Sequence, residues 1–411
     1  MSTAIPRQHR FLLGAAFFGH LANDWVAGTL WILAPAIAVS MGLGPTEVGL
    51  ILMINGLGAG LVYIPAGMLS DRSRRPGLLM LISFWWVAIG YFSATLAPGF
   101  WGVTVLLAFG VMGDAFWHPI ATGVLVKEMP ERRAQALGIH AVGGGIGAEV
   151  LGPLSAGFLL GFFDWQTTLQ ILVLPAIIMG VIFIPIAARI SRDNPGEPSS
   201  IDLAGLARQW LQPKGYKLMA VVILYNMSLT AILAMTVLFF QSKHSLSSFE
   251  AGLVFAGILM FGTLCQPWFG KFSDLRGRKP LILLVLFGAC FFAIVAGLSN
   301  SFVWAIVGLF PAAAALTAVR PVVLAAAVEY SQKSESTTLG VVFTALDGIG
   351  MFGALCAGLV AEFDLQYAFL LAAVLALIAA IVCLFLNIDS AESSTSIDQQ
   401  WVANPVNPAD P

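Results

Sequence analysis

Apolar runs of about twenty residues, each closed by a short polar or Gly/Pro break, repeat along nearly the whole chain. Dividing them at the breaks gives twelve segments: 11–39, 47–69, 77–97, 101–126, 135–162, 166–188, 217–241, 249–272, 280–299, 302–328, 337–361 and 366–387. Each reaches the roughly 20 residues that a helix needs to cross a bilayer. A helical bundle is also the arrangement that satisfies its backbone inside each segment. The pattern therefore predicts an all-α membrane protein with twelve transmembrane helices and no strands.

One long polar break, between segments six and seven, contains Asn194, Pro195, Gly196 and Pro198. It divides the chain into a six-helix half at 1–188, a linker at 189–216 and a second six-helix half at 217–388. Inside the linker, Ile201, Leu203, Leu206, Trp210 and Leu211 are spaced as an amphipathic helix lying on the membrane surface. Residues 389–411 are rich in Ser, Asp, Asn and Pro and read as a disordered tail.

The two halves echo one another. Glu47, Gly49, Leu50, Gly67, Ser70 and Asp71 recur 203 residues later as Glu250, Gly252, Leu253, Gly270, Ser273 and Asp274, and Asn23 recurs as Asn226. His118-Pro119 is matched 202 residues on by Arg320-Pro321, and Gly138 by Gly340. Parallel repeats of this kind build transporters whose substrate site lies between the halves near the midplane.

Composition agrees with the pattern. Hydrophobic residues make up 58% of the chain and charged residues 10%, against about 25% charged in soluble domains. No basic patch for nucleic acid appears. Cys265, Cys290, Cys356 and Cys383 all fall inside apolar runs, where a cysteine reads as a small hydrophobe rather than a disulfide or metal ligand. The first segment begins at Phe11 with no small-residue cleavage site before it, so no removable signal is read. Every lysine and arginine except Lys243 and Arg320 falls on one side of the twelve segments, which puts both termini in the cytoplasm.

The remaining charges sit inside the apolar runs, where each costs about 2.5–3.5 kcal/mol to insert. Phe17, His20, Asp24, Ala27 and Trp31 share one face of the first helix, and Asp114 and His118 share one face of the fourth. A carboxyl in an apolar site beside a histidine is suited to loading and releasing a proton. A structural polar network is the competing reading. Glu149 and Asp347 lie mid-segment without a partner three or four residues away, and His140 falls on the face opposite Glu149, as a packing residue. Arg320 either pairs with a carboxylate or receives an anionic substrate group. Asn226 is placed to offer a neutral hydrogen bond to the same cavity. No nucleophile with a base, metal-ligand cluster, phosphate-cradling loop or ATP motif is evident, so neither an enzyme nor a cofactor nor a metal is expected.

Two loops carry a family resemblance. Gly67-Met-Leu-Ser-Asp71-Arg72-Ser-Arg74-Arg75-Pro and Gly270-Lys-Phe-Ser-Asp274-Leu-Arg276-Gly277-Arg278-Lys279-Pro resemble the signature loop of the major facilitator superfamily. The first is one residue shorter and lacks a counterpart of Gly277. The resemblance implies the major facilitator fold, with helices one, four, seven and ten lining the cavity. Asp71 and Asp274 would then bond neighbouring arginines to hold the cytoplasmic side shut. Gly143, Gly144, Gly145 and Gly147, followed by Gly152-Pro153 and Ala156-Gly157, look like the antiporter motif of that superfamily, with Ala156 standing where a glycine is usual. Small residues there allow close helix approach and Pro153 predicts a kink. His20-Leu-Ala-Asn23-Asp24, Phe116-Trp117-His118-Pro119 and Val142-Gly143-Gly144 are similar to the fosmidomycin-resistance branch of drug exporters, although Trp117 separates the phenylalanine from the histidine. This likeness implies a monomer in a bacterial inner membrane, surrounded by lipid, that exchanges protons for a small-molecule substrate. An importing symporter or a metabolite or siderophore exporter is the alternative, and a membrane receptor or scaffold using the fold without transport is a third.

Overall fold

The computed structural model describes residues 6–190, 203–331 and 340–386, among which there is no strand. The predicted tail, 389–411, and the stretch of the predicted linker at 191–202 lie outside the described residues. Twelve helices are long and apolar enough to cross a membrane. They are α1 (His9–Ser40), α2 (Pro45–Arg72), α3 (Pro76–Ala94), α4 (Gly99–Glu128), α5 (Gln135–Leu159) and α6 (Trp165–Ala187). The remaining six are α7 (Pro213–His244), α8 (Ser248–Arg276), α9 (Arg278–Leu298), α10 (Phe302–Tyr330), α11 (Gly340–Ala361) and α12 (Tyr367–Leu384). They match the predicted segments one for one. The largest difference is α7, which starts earlier because Pro213 suits a first helical turn, and ends at Ser245 with φ 56°.

The repeated Glu47 and Glu250 have a local cause. Each bonds back to the backbone N–H that opens its helix, Glu47 to Gly44 at 3.0 Å and Glu250 to Ser247 at 2.8 Å, satisfying donors that would otherwise be orphaned. The two signature loops differ as their sequences do. Gly277 closes the second with φ 89°, a conformation that glycine alone adopts freely, whereas the shorter first loop turns at negative φ through Ser73 and Arg75 and needs no glycine.

Two helices lose α-helical register at mid-length. In α5, Ile146–Leu151 is π-helical just before Pro153, which has no N–H for the carbonyl of Glu149. In α11, Thr344–Gly348 is π-helical and Ile349–Met351 follows as a 3₁₀ turn. Each π segment carries the mid-membrane acid of its helix, Glu149 or Asp347. Such segments recur at functional sites.

The first six helices pack mainly on one another, as do the last six, and the sets meet chiefly through α2 against α11 and α5 against α8. α1 and α7 are the most deeply buried, while α3, α6, α9 and α12 expose rows of large apolar side chains such as Trp85, Ile178, Phe291 and Ile381. Rows of this kind suit an apolar surround. One apolar core runs through the last six helices and continues into Leu33, Ile37, Ile51 and Leu52 of the first set. At the end carrying the signature loops, by contrast, Leu13, Tyr63, Phe84, Trp117 and Phe183 form a separate core. The buried core is therefore continuous across the halves at the end opposite the signature loops, while among the described residues the other end is joined more thinly, through Phe343 against Tyr63.

The linker helix, Leu203–Trp210, is docked at its C-terminal end. Trp210 is buried edge-on against Tyr330 at 5.1 Å, and the Tyr330 hydroxyl donates to the Gln209 carbonyl at 2.8 Å, docking the helix onto the end of α10.

Candidate functional site

The helical period puts His20 and Asp24 on one face of α1, and Asp114 and His118 on one face of α4; packing turns the two faces toward each other. His20 Nε2 lies 3.1 Å from Asp24 Oδ2. His118 Nε2 lies 3.6 Å from Asp114 Oδ2 and 3.9 Å from Asp24 Oδ1. Asn23, fully buried, donates its amide to Asp114 Oδ1 at 2.7 Å and so fixes that carboxyl from the α1 side. Two acids and two imidazoles thus share one enclosed volume, where their charges can offset.

His20 is held in a single tautomer. Its Nδ1 is 2.7 Å from the His140 carbonyl, which can only accept, so Nδ1 carries the hydrogen. Its Nε2 then faces the Asp24 carboxylate, and neither Nε2 nor Asp24 Oδ1 has a hydrogen-bond partner. His140 is a supporting residue, as its position in the sequence suggests: its ring stacks on His20 at 3.9 Å and its Nδ1 donates to the Ala16 carbonyl. Close approach of α5 makes this possible, since a Cβ on Gly152 would stand 2.7 Å from the Trp25 carbonyl of α1.

A second centre sits on the other half. Arg320 Nη2 donates to Asp347 Oδ1 and Oδ2 at 2.9 and 3.0 Å. Tyr63 of α2 donates to the same Asp347 Oδ2 at 3.2 Å, reaching across from the first half. The Tyr63 ring also lies 6.3 Å from that of His118, so it stands between the two centres. Arg320 and Asp347 retain 34% and 25% side-chain exposure, and His118 23%, which marks them as lining a space between the halves rather than a sealed core.

Glu149 meets the Thr263 hydroxyl of α8, again across the halves, and no cation among the described residues. Trp31 packs its ring 6.0 Å from Phe255 of α8, so it contributes to the contact between halves. Asn226 departs from expectation. Rather than facing a cavity it is buried, with its amide donating to the Leu346 carbonyl at 2.7 Å, where it braces the π segment of α11.

The glycines of the antiporter-like motif act at the joined end. A Cβ on Gly157 would stand 2.6 Å from the Ser248 carbonyl, and one on Gly252 2.9 Å from the Pro153 carbonyl, so α5 and α8 touch backbone to backbone. The kink predicted at Pro153 takes the form of the π segment just before it.

Among the described residues, the signature-loop charges find their partners within their own half. Asp71 pairs with Lys127 of α4 at 2.7 Å instead of with an arginine, and Arg72, Arg74 and Arg75 are exposed without an ion pair among the described residues. In the second loop Arg278 bonds Asp274 at 2.6 Å and Glu329 of α10 at 2.7 Å, tying α8, α9 and α10. Arg276 stacks on Phe272 of its own helix, 4.8 Å from the ring centre.

Sequence reasoning misses Tyr63, Thr263, Lys127 and Glu329, which matter only through contacts between helices. It also misses a grouping it excludes: one ligand atom each of His20, Asp24 and His118 lie within 4.8 Å of one another, a set able to hold a metal ion.

A family model described as Major Facilitator Superfamily matches residues 16–264 and 218–406. The chain is 24% identical over 367 residues to a fosmidomycin resistance protein of Escherichia coli strain K12, spanning 88% of this chain and 89% of the relative. It is 29% identical over 168 residues to a probable sugar efflux transporter of Pasteurella multocida, covering 40% of this chain and 41% of that one. An enterobactin exporter of Salmonella typhimurium is 32% identical over 164 residues, 37% of this chain and 39% of the relative. Among solved structures, a bacterial homologue of the lysosomal transporter Spinster superposes with a TM-score of 0.74 at 18% identity, covering 99% of this chain and 100% of that one. The nucleoside transporter NupG gives 0.74 at 14% identity, covering 91% and 98%. These superpositions speak for the fold alone.

Proposed function

The chain belongs to the major facilitator superfamily, a family of membrane transporters, and from that premise we propose that it is a proton-coupled exporter of a small organic compound. The carrying observation is the convergence of His20, Asp24, Asp114 and His118 in one enclosed volume between α1 and α4. Two acids and two imidazoles in contact offer groups that can take up and release protons, which is what exchange of a proton for another cargo requires.

Alternating access is supported by the asymmetry of the packing. The first six helices and the last six, taken as rigid halves at 1–188 and 217–388, rock about the α2–α11 and α5–α8 contacts. The lysine and arginine distribution favours a cytoplasmic signature-loop end and cytoplasmic termini, so the more thinly joined end faces the cytoplasm. In this reading substrate enters there, and a proton enters from the other side after the halves exchange contacts. Tyr63 to Asp347 and Thr263 to Glu149 are the mid-membrane bonds that break and reform. Asp71 and Asp274, with their loop cations, bridge the halves only in the opposite state.

The substrate is read as anionic. Arg320 spends only Nη2 on Asp347, leaving Nε and Nη1 without a partner among the described residues and turned to a space that reaches them. A guanidinium edge of this kind matches a carboxylate or phosphonate. The likeness to relatives named for fosmidomycin resistance and enterobactin export supports trying fosmidomycin and enterobactin first.

The test is accumulation of such compounds in cells expressing the chain, with and without an uncoupler. Lower accumulation that the uncoupler abolishes supports the reading; indifference to the proton gradient removes it. The free edge of Arg320 would equally serve an importing symporter of a small anion, and counterflow of labelled substrate in oriented vesicles separates the two directions.

A further inference from the structure

We infer that His20, Asp24 and His118, with Asp114 beside them, form a binding site for a divalent transition-metal ion of the zinc class. The inference stands on geometry and holds or fails independently of export, because its readout is metal binding.

Three features carry it. First, the donors are two imidazole nitrogens and a carboxylate, the borderline set that zinc-class ions take in three-ligand sites, with a fourth position left for water or a further carboxylate. Asp114 Oδ2, 3.6 Å from His118 Nε2, is the available fourth ligand. A tetrahedron built on bonds of about 2.1 Å has edges of about 3.4 Å. His20 Nε2 lies 3.1 Å from Asp24 Oδ2 and His118 Nε2 3.9 Å from Asp24 Oδ1, and one ligand atom from each of the three residues lies within 4.8 Å of the others, so an ion would draw the ligands inward.

Second, the site is unfinished without a cation. His20 Nδ1 holds its hydrogen on the His140 carbonyl, so in the neutral ring Nε2 presents a lone pair to the lone pairs of Asp24. Both residues are more than nine-tenths buried, and Nε2 and Oδ1 have no hydrogen-bond partner. Two facing acceptors in an apolar surrounding repel unless a positive charge lies between them. A proton fills that place on one imidazole; a metal ion fills it while also engaging the second imidazole.

Third, the ligands are already oriented from behind. The bond from His20 Nδ1 to a backbone carbonyl is the outer support that metal-bound histidines carry, and Asn23 holds Asp114 from α1. His118, 23% exposed at its side chain, is the member that the interior space reaches, and it supplies the entry route. Because bound metal requires unprotonated imidazoles, metal and protons compete for the same atoms.

The experiment is equilibrium dialysis of untagged, detergent-purified full-length chain against Zn²⁺ near neutral pH with excess Mg²⁺ present. The expected result is saturable binding of about one ion per chain, weakened by at least about tenfold in Asn23→Ala and more in Asp24→Asn or His118→Ala. Binding weakens as pH is lowered and is unchanged in His244→Ala, a histidine outside the cluster. Size-exclusion profiles check that each variant is folded. Should the ligand variants aggregate, X-ray absorption on the zinc-loaded native chain decides instead, by reading nitrogen and oxygen neighbours with two imidazoles and no sulfur. No saturable zinc in the native chain, binding indifferent to Asp24 and His118 together, or a shell without imidazole overturns the site.

Discussion

Tyr63 of α2 donates its hydroxyl to Asp347 of α11 at 3.2 Å, joining the two halves of the molecule at the level where both carry their buried charges. The same ring lies against Phe343 at 5.6 Å and near His118 at 6.3 Å. One side chain therefore touches the acid–imidazole cluster of the first half and the Arg320–Asp347 pair of the second. Tyr63→Phe keeps the ring and removes the bond. The chain should express and fold as before, while export changes by about 3- to 10-fold, the worth of one net hydrogen bond between states. Initial export rates of the two proteins at matched expression check this, and equal rates would show that the bond does not distinguish the states.

Neutralising Arg320 or Asp347 singly should differ from neutralising both. Either single change, Arg320→Gln or Asp347→Asn, strands a charge inside the bundle and lowers the melting temperature in detergent. Partial exposure of both side chains keeps the loss below the roughly 3–5 kcal/mol of a fully buried pair. The double variant should regain stability, since no charge is stranded, yet fail to bind an anionic substrate. Recovery of binding together with stability would assign Arg320 a structural role alone.

Gly157 and Gly252 set how closely α5 and α8 approach at the joined end. Gly157→Leu or Gly252→Leu puts a side chain where backbone now meets backbone, and the state with that end closed becomes costly. Export should fall by more than about tenfold, the effect of a bias of about 1.4 kcal/mol or more between states, while membrane insertion is unaffected. Transport at the native level in both variants would mean that this contact is not required to close.

The two signature loops predict different losses of stability. Lys127→Ala removes one exposed pair and should cost less than about 1 kcal/mol. Arg278→Ala frees Ser273, Asp274 and Glu329 at once and unties three helices, so its melting temperature should fall further. Equal losses in thermal unfolding would contradict this ranking.

Asp364, in the connection between α11 and α12, is held below its ordinary range by the Gln366 backbone N–H first and by Lys243 as well. A carboxyl lowered in this way stabilises the fold above its unfolded pKa of about 3.9 and loses that contribution as pH falls through its folded value. Lys243→Ala should therefore lower the melting temperature slightly at neutral pH, with the difference from the native chain shrinking below about pH 4. A difference that persists in acid would place the effect elsewhere.

The hydrophobic pattern makes the twelve helices and their order legible because membrane length and backbone satisfaction leave one solution. The spacing of His20 with Asp24 and of Asp114 with His118 likewise comes from the helical period. What the period cannot give is the rotation of one helix against another. Asn23 and Asn226 occupy matching positions in the repeat, yet Asn23 finds Asp114 on α4, while the residue matching Asp114 in the second half is Leu316, a core side chain. Asn226 turns instead to the backbone of α11. The partner of Asp71 is hidden for a similar reason. Lys127 is 56 residues away and meets it only because α2 and α4 pack side by side, whereas the arginines next to Asp71 in the chain point outward.

Export of the proposed kind requires protons to move through the cluster between α1 and α4, and proteoliposomes holding the purified chain test that most directly. An imposed pH gradient should drive uphill movement of the exported compound in the native protein. Asp114→Asn and Asp24→Asn should abolish that uphill movement while leaving the protein folded. Uphill movement that persists at the native rate in both variants, or that ignores the gradient in the native chain, would contradict it.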